Sequence, residues 1–259
     1  MTPSLHVNHE YLLHWARSAS PEGPVLDFGC GAGAVVLAGR ERGLELYGAD
    51  AFEGREDQRD KATRAGLIGD TIRMISDDGR LPFDDELFTM VVANQVFEHI
   101  ADFERPLREI SRVLKPGGRL LALFPSQGVI REGHIGIPMA HWFPPGGIQY
   151  RYVHLLRSVG LGHSHWGGGA SWSSAEWARR TTAYLRDHTF YRRKHAAIHA
   201  FQRHFDVALI EEDYLEFRLN HAGLATGMAA LVRLPPARHL AKTAMRLLAG
   251  MVVLGTKRT

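Results

Sequence analysis

The sequence predicts an α/β protein with a doubly wound, mostly parallel sheet, and three observations predict this fold. Short apolar runs alternate with amphipathic stretches as far as Pro125. A glycine-rich turn directly follows the first apolar run, as at the first strand-to-helix turn of nucleotide-binding sheets. An acidic residue, Asp50, closes the second predicted strand, at the edge where parallel strands present their carboxyl ends.

Each element up to Pro125 follows from its periodicity and its boundary residues. Apolar runs that end at turn residues predict strands, and apolar residues at helical spacing predict helices. Helices are predicted at residues 8–18, 34–42, 54–65 and 103–114, and strands at residues 24–28, 44–49, 71–76, 88–93 and 120–124.

The regular alternation ends at Pro125. Residues 126–169 are rich in glycine, proline, histidine and aromatic residues, and residues 172–205 are mostly helical in pattern. Strand character returns near the end of the chain, at residues 207–211 and 251–254, with a helix at 238–248 between them. We therefore expect a core domain of residues 1–125 and 200–259, with residues 126–199 inserted as a helical lid.

Composition limits the class of protein. The chain has 259 residues, of which 45% are hydrophobic and 23% are charged, as in ordinary globular domains. Its longest apolar stretch, residues 247–254, is far short of the roughly 20 residues of a membrane-spanning helix. Cys30 is the single cysteine, which excludes an internal disulfide, and no signal-peptide pattern opens the chain. These features predict a soluble, cytoplasmic protein.

Charge is unevenly distributed along the chain. Residues 1–130 hold 14 Lys and Arg against 20 Asp and Glu, whereas residues 131–259 hold 17 against 8. One interpretation is ordinary variation in solvated surface charge. The other is that the second half faces an anionic partner, such as a phosphate group, nucleic acid or an acidic membrane surface.

The glycine-rich turn carries the first functional signal. Gly29, Gly31 and Gly33 alternate with other residues after Asp27, so a ligand can lie against bare backbone where the turn opens a helix. This spacing differs from the dinucleotide-binding pattern G-x-G-x-x-G, and the turn lacks the Gly-Lys-Ser/Thr ending of a phosphate loop.

Two acidic positions follow at later strand ends. Asp50 comes 17 residues after Gly33, and a carboxylate there can accept hydrogen bonds from both hydroxyls of a ribose. Asp77 and Asp78 follow the third predicted strand, four and three residues before Leu81.

In this order of motifs, residues 25–125 resemble the small-molecule branch of the class I S-adenosylmethionine-dependent methyltransferases. The resemblance implies a Rossmann-like, seven-stranded sheet whose last strand, residues 251–254, is antiparallel. It also implies S-adenosyl-L-methionine as the cofactor. The implied contacts are Asp27, Gly29, Gly31 and Gly33 at its methionine end, Asp50 at the ribose, Asp77 and the backbone N–H of Asp78 at the adenine, and Asn94 in the pocket lining.

The residues that act on the acceptor are expected after the fifth strand. A hydroxyl acceptor must lose a proton, and a histidine near neutral pKa suits this task. His134 and His141 flank a turn and are the candidate catalytic bases, although both could instead be structural residues that hydrogen-bond to backbone. The adjacent pair Glu98 and His99 is a further candidate. A metal site at Glu132, His134 and His141 is chemically possible, but the ligand spacing is not distinctive, so no metal is predicted.

Three functions remain open. The leading hypothesis is methylation of a small-molecule hydroxyl. Residues 132–144 resemble a stretch of methyltransferases from bacterial surface-polysaccharide pathways, which implies a nucleotide- or lipid-linked sugar as the acceptor. An anionic acceptor or a peripheral membrane contact would suit the tryptophans at 166, 172 and 177, which precede a basic stretch. The second hypothesis is an RNA or protein methyltransferase, but no RNA-binding module is present, which argues against a nucleic-acid partner. The third is a non-catalytic cofactor-binding subunit.

Overall fold

A computed structural model describes residues 5–19, 23–163, 171–223 and 234–259, and every structural statement below concerns these residues. Trp166, one of the tryptophans singled out above, lies outside them. Within the described residues, no helix has the length and apolar character that crossing a membrane requires.

The described strands form one seven-stranded sheet. They are β1 (Val25–Phe28), β2 (Leu46–Asp50), β3 (Ile72–Met74), β4 (Phe88–Asn94), β5 (Leu114–Phe124), β6 (Phe205–Leu209) and β7 (Met251–Lys257). Their order across the sheet is β3-β2-β1-β4-β5-β7-β6. Strand β7 runs antiparallel to β5 and β6, while the other pairs are parallel. The predicted mostly parallel, Rossmann-like sheet with an antiparallel last strand is confirmed.

Helices connect these strands. They are α1 (Val7–Ala19), α2 (Ala34–Glu41), α3 (Glu56–Arg64), α4 (Glu104–Val113), α5 (Gly147–Ser158), α6 (Ser174–His188), α7 (Lys194–Gln202), α8 (Glu211–His221) and α9 (Pro235–Leu248). Short 3₁₀ turns at Phe97–His99 and Ala140–Trp142 follow β4 and β5. The helices predicted before Pro125 are all present.

Two predicted boundaries are wrong. The expected strand at residues 207–211 ends at Leu209, because Glu211 begins α8 and its fully buried carboxylate pairs with Arg246 at 2.7 Å. The fifth strand begins at Leu114 rather than at Leu120, since Leu114 already pairs with Phe88 of β4 before the register shifts.

The core lies on both faces of the sheet, as a doubly wound fold requires. One cluster joins Phe88 of β4 to Phe97, Phe124 and Phe201. The cluster on the other face joins apolar residues of α1 and α2 to β2, β3 and β7. Together the two clusters fix the carboxyl ends of the strands, where the predicted functional residues lie.

A third hydrophobic cluster forms within the segment that follows β5. Its buried residues come from the turn after β5 and from α5 and α6, and Trp177 of α6 is its largest member. The packing role of Trp177 is therefore clear, while Trp172 lies under the guanidinium of Arg180. Helix α7 packs Phe201 into the main core instead. The proposed division into a core and an inserted lid at residues 126–199 stays a prediction.

Candidate cofactor and acceptor site

The glycine-rich turn after β1 has one open position and two packed ones. Gly29, Gly31 and Gly33 have φ angles of +74°, +52° and +82°, which favour glycine. A Cβ at Gly29 would lie 2.4 Å from Cγ2 of Val96, and one at Gly33 would lie 2.6 Å from Cδ1 of Ile72. A Cβ at Gly31 would meet nothing closer than 3.9 Å. The backbone at Gly31 therefore faces open space where a ligand can approach.

Two buried carboxylates lie beside this turn. Asp50 ends β2, and its two oxygens accept hydrogen bonds from the backbone N–H groups of Gly31 and Phe52, both at 2.7 Å. Each oxygen retains a second lone pair, so the carboxylate can also accept hydrogen bonds from ribose hydroxyls. Asp27 lies in the neighbouring strand β1, where burial and then the charge of Asp50 raise its pKa to about 8.

The remaining predicted cofactor contacts lie at the ends of β3 and β4. Asp77 and Asp78 are exposed after β3, and Asp78 closes a turn by accepting from the Ser76 hydroxyl at 2.6 Å. Asn94 ends β4, and its side-chain oxygen accepts from the Asn8 amide at 3.0 Å. Because β3, β2, β1 and β4 are successive neighbours, all of these residues lie along one edge of the sheet. Their individual contacts with a cofactor stay predictions.

Arg55 is a candidate binding residue that the sequence analysis missed. It immediately precedes α3, and its guanidinium Nη2 lies 3.9 Å from where a Cβ of Gly31 would be. Its charge also acts at longer range on Glu98 and His134. Its position five residues after Asp50 was the available signal, although an exposed arginine before a helix is common.

A cluster of polar side chains, which we call the polar cluster, lies next to the glycine turn. Val96, which packs on Gly29, leads directly into the 3₁₀ turn that carries two of its members. The segment after β5 supplies two more, and the connection between α6 and α7 supplies the fifth. The members are Glu98, His99, Glu132, His134 and Tyr191.

Glu132 organises one side of the polar cluster. It is fully buried, and its carboxylate contacts Nδ1 of His134 at 2.6 Å and accepts from the backbone N–H of Ile135 at 2.7 Å. The Tyr191 hydroxyl donates to the same carboxylate. Burial alone would raise the pKa of Glu132, but these donors outweigh it and lower that pKa. Burial alone would likewise lower the pKa of His134, but Glu132 raises it.

The other side of the polar cluster holds Glu98 and His99. Nε2 of His134 lies 3.2 Å from Nε2 of His99, whose Nδ1 is 2.7 Å from the carbonyl oxygen of His188. Glu98 is 1% exposed, and within the described residues neither of its carboxylate oxygens has a hydrogen-bond partner. Burial raises the pKa of Glu98 to about 8.

His141, the second candidate base, adjoins the polar cluster without joining it. Its ring lies 4.4 Å from the ring of Tyr191, and its two nitrogens have no hydrogen-bond partner among the described residues. Burial lowers the pKa of His141 and so favours its neutral form. The structure thus brings His134 together with Glu98 and His99, whereas His141 contacts the ring of Tyr191 instead.

A cavity of about 330 Å³ lies where the chain leaves β5. Trp142, Arg193 and Lys194 line it, together with residues 126–128. Arg192, which precedes this basic pair, is occupied elsewhere: its guanidinium donates to the backbone carbonyls of Ile100 and Ala101.

Comparison with known proteins places this architecture. Residues 26–122 match a family model described as a methyltransferase domain. Methyltransferase GfsG of Streptomyces halstedii is 37% identical over 99 residues, which are 37% of this chain and 35% of that protein. Demethylmenaquinone methyltransferase of Thermus thermophilus is 41% identical over 122 residues, covering 43% of this chain and 54% of that protein. The match therefore covers about a third of the first relative and about half of the second.

A solved structure shows the same fold over nearly the whole chain. An S-adenosylmethionine-dependent methyltransferase from Mesorhizobium loti superimposes with a TM-score of 0.53 at 15% identity. The superposition covers 97% of this chain and 100% of that one. The segment that matches the family model, residues 26–122, contains the glycine turn and the predicted cofactor residues from Asp27 to Asn94.

Proposed function

We propose that this chain, whose residues 26–122 match a methyltransferase domain, is a class I S-adenosylmethionine-dependent methyltransferase that transfers a methyl group to a hydroxyl of a small-molecule acceptor. The observation that supports the choice of a hydroxyl is the pair of the buried Glu132 and the partly buried His134 near the glycine turn. A hydroxyl must lose its proton on methylation, and a histidine paired with a carboxylate can accept that proton.

The residues at the carboxyl edge fit the cofactor. The open backbone at Gly31 admits a ligand where any side chain would intrude, and this fits the methionine end. Asp50 is held by two backbone N–H groups in a position to accept the ribose hydroxyls. In the same proposal, Asp27, Gly29 and Gly33 shape the methionine end, Asp77 and Asp78 meet the adenine, and Asn94 lines the pocket.

Activation of the acceptor falls to His134. S-adenosylmethionine, when bound, supplies a methyl group on a sulfonium, so that the sulfur keeps the bonding electrons as the methyl passes to oxygen. Glu132 fixes the orientation of the His134 ring through Nδ1, which leaves Nε2, beside Nε2 of His99, as the nitrogen that can take the proton. Alignment of the hydroxyl with the methyl supplies the rest of the rate through proximity. His141 packs against Tyr191 and supports that residue's ring.

The cavity beside β5 indicates the acceptor class. Trp142 offers an aromatic surface on which a sugar ring can stack, while Arg193 and Lys194 offer charges for a phosphate. Both features suit a sugar linked to a nucleotide or to a phospholipid, which is the acceptor class that we propose. The excess of basic residues after residue 130 agrees with an anionic acceptor.

Transfer of a labelled methyl group tests the proposal. Purified chain and methyl-labelled S-adenosylmethionine are incubated with fractions of a cell extract, and mass spectrometry locates the label. We expect a labelled small molecule with the methyl group on oxygen, and none with the His134→Ala variant, which should still bind the cofactor. Label in RNA or protein would support those acceptors instead, and cofactor binding without label in any fraction would indicate a non-catalytic subunit.

A further inference from the structure

Glu98 presents a problem that hydrogen bonding within the described residues does not solve. It is 1% exposed, and neither carboxylate oxygen has a hydrogen-bond partner there. A buried polar group without a partner destabilises the fold, and a charged one destabilises it more. Arg55 acts on Glu98 only at longer range, without a hydrogen bond. The carboxylate therefore requires a partner that is absent from the neighbouring side chains.

The two histidines next to Glu98 present a second problem of the same kind. Nδ1 of His134 faces the Glu132 carboxylate, and Nδ1 of His99 faces the carbonyl oxygen of His188, so both Nδ1 atoms carry the hydrogen. In the neutral rings, both Nε2 atoms then carry lone pairs, and these atoms face each other at 3.2 Å. A proton between the rings would reconcile the two lone pairs but would leave both oxygens of Glu98 without a donor.

A single cation satisfies all three groups. One ligand atom from each of Glu98, His99 and His134 lies within 4.8 Å of the others. Metal–nitrogen bonds of about 2.0–2.1 Å in octahedral or tetrahedral geometry place neighbouring ligand atoms about 2.8–3.4 Å apart. The 3.2 Å between the Nε2 atoms matches this spacing.

The outer hydrogen bonds also match those of metal sites. A histidine that binds metal through one nitrogen usually donates the other N–H to a carboxylate or a backbone carbonyl, which fixes its tautomer. His134 has the first kind of partner, Glu132, and His99 has the second, the His188 carbonyl. Two segments far apart in sequence, one with Glu98 and His99 and the other with His134, thus converge with their ligand atoms already oriented.

We propose that Glu98, His99 and His134 bind one divalent first-row transition-metal ion, such as Zn²⁺. Two imidazole nitrogens and one carboxylate favour such an ion over Mg²⁺ or Ca²⁺, which prefer oxygen ligands. This site revises the expectation from the sequence that no metal is bound, and its ligands differ from the set of Glu132, His134 and His141 considered there. Glu132 orients a ligand, and His141 lies outside the site.

Three protein ligands leave a coordination position open, as in catalytic rather than structural metal sites. This consequence rests on the proposed function: the acceptor hydroxyl occupies the open position. Coordination would withdraw electron density from the oxygen, which would then release its proton to solvent more readily and bond to the methyl carbon as the bond from that carbon to sulfur breaks and sulfur keeps the electron pair. His134 thus activates the hydroxyl as a ligand of the ion, and the acceptor class narrows to molecules whose hydroxyl can coordinate a metal.

Metal binding by the full chain tests the site without any acceptor. The protein is stripped with a chelator, dialysed and titrated with Zn²⁺ in a calorimeter, and Co²⁺ is titrated separately for its visible absorption. We expect one tight equivalent per chain and a tetrahedral or five-coordinate Co²⁺ spectrum. Glu98→Gln and His134→Ala should each weaken that equivalent at least about tenfold, while circular dichroism shows that both variants fold.

A surface pair provides the matched control, since the chain contains 15 histidines. His195 and His199 are exposed and four residues apart on α7, a spacing that can capture Zn²⁺ adventitiously. Replacing both with alanine should leave the tight equivalent intact. Loss of binding in this double variant, or equal binding in the Glu98→Gln variant and the unsubstituted chain, would overturn the proposed site.

Activity of the stripped protein separates the two proposals. If no tight equivalent binds and the stripped chain still methylates a hydroxyl at the full rate, the metal site is refuted and the proposed function stands. If Zn²⁺ binds through these ligands but no hydroxyl is methylated, the site stands and the proposed function is refuted.

Discussion

The glycine turn after β1 and the polar cluster lie close together, but they are built on opposite principles. The turn presents backbone: three glycines with positive φ and the N–H groups that hold Asp50. The polar cluster presents side chains that converge from the turn after β4, the segment after β5 and the chain before α7. From this comparison we propose that the two regions have different roles. The turn binds S-adenosylmethionine, and the polar cluster acts on the acceptor.

The largest effect that tests this division is expected in the polar cluster. His134→Ala should lower the rate of methyl transfer by roughly 10²–10⁴-fold, the range for loss of a group that assists proton removal. Cofactor affinity should change little, because His134 lies outside the glycine turn and its acids. Single-turnover kinetics and calorimetry measure the two effects. A near-normal rate in this variant with a large loss in His141→Ala would transfer the activating role to His141.

A second test contrasts two glycines of the same turn. Gly31→Val should lower cofactor affinity at least about 100-fold, because the new side chain enters the open space that the ligand needs, while the positive φ at Gly31 also makes the substitution destabilising. Gly33→Ala should mainly destabilise the fold, since its Cβ would lie 2.6 Å from Ile72 and 2.7 Å from Leu67. Thermal melts and calorimetry of both variants distinguish the two outcomes. Unchanged cofactor affinity in the folded Gly31→Val variant would show that the ligand does not approach the backbone at Gly31.

The same contrast between the glycine turn and the polar cluster explains how much of each region the sequence predicts. Gly29, Gly31 and Gly33 are required by local backbone geometry, and Asp50 closes the next strand, so their pattern is visible within 22 residues of chain. The polar cluster has no such pattern. Glu98 and Glu132 are 34 residues apart, and Tyr191 follows 59 residues later, so only the tertiary fold brings them together.

Helix α8 was missed for a different reason. Its apolar residues do not recur at helical spacing, so their pattern does not predict a helix. The strand predicted at residues 207–211 therefore runs into the first residue of α8. The signal that could have found it is the acidic first turn, Glu211, Glu212 and Asp213, because carboxylates are favourable at a helix N-terminus.

The pKa of Asp27 provides a smaller, pH-dependent effect. Burial, with the charge of Asp50, raises this pKa from 3.8 to about 8 in the folded, cofactor-free chain. The folded state therefore binds more protons than the unfolded state between these values, and stability should fall as pH rises through that window. Asp27→Asn removes this dependence.

Thermal melts without cofactor at pH 6 and pH 9 check this prediction. The unsubstituted chain should lose melting temperature relative to the Asp27→Asn variant at the higher pH, by about 2–4 °C for each kcal/mol. The same variant should bind the cofactor more weakly, because it lacks the carboxyl group proposed to lie at the methionine end. Parallel melting curves at both pH values would show that Asp27 ionises normally.

The smallest effect is expected at the cavity beside β5. Replacing Arg193 and Lys194 with alanine should weaken binding of an anionic acceptor severalfold, and added salt should mimic the change. Arg192→Ala should instead lower stability, because that guanidinium holds the backbone at Ile100 and Ala101. Acceptor titrations at low and high salt measure the effect, and equal affinities at both would indicate a neutral acceptor.

The most direct test of the central claim is calorimetric binding of S-adenosylmethionine to the unsubstituted chain and to Asp50→Ala. The account predicts one cofactor molecule per chain and an affinity at least tenfold lower in the variant, since each hydrogen bond to a charged acceptor contributes roughly 1.5–3 kcal/mol. Asp50→Asn, which keeps an oxygen acceptor for Gly31 or Phe52, controls for damage to the turn. Tight binding of NAD with no response to S-adenosylmethionine would contradict the account.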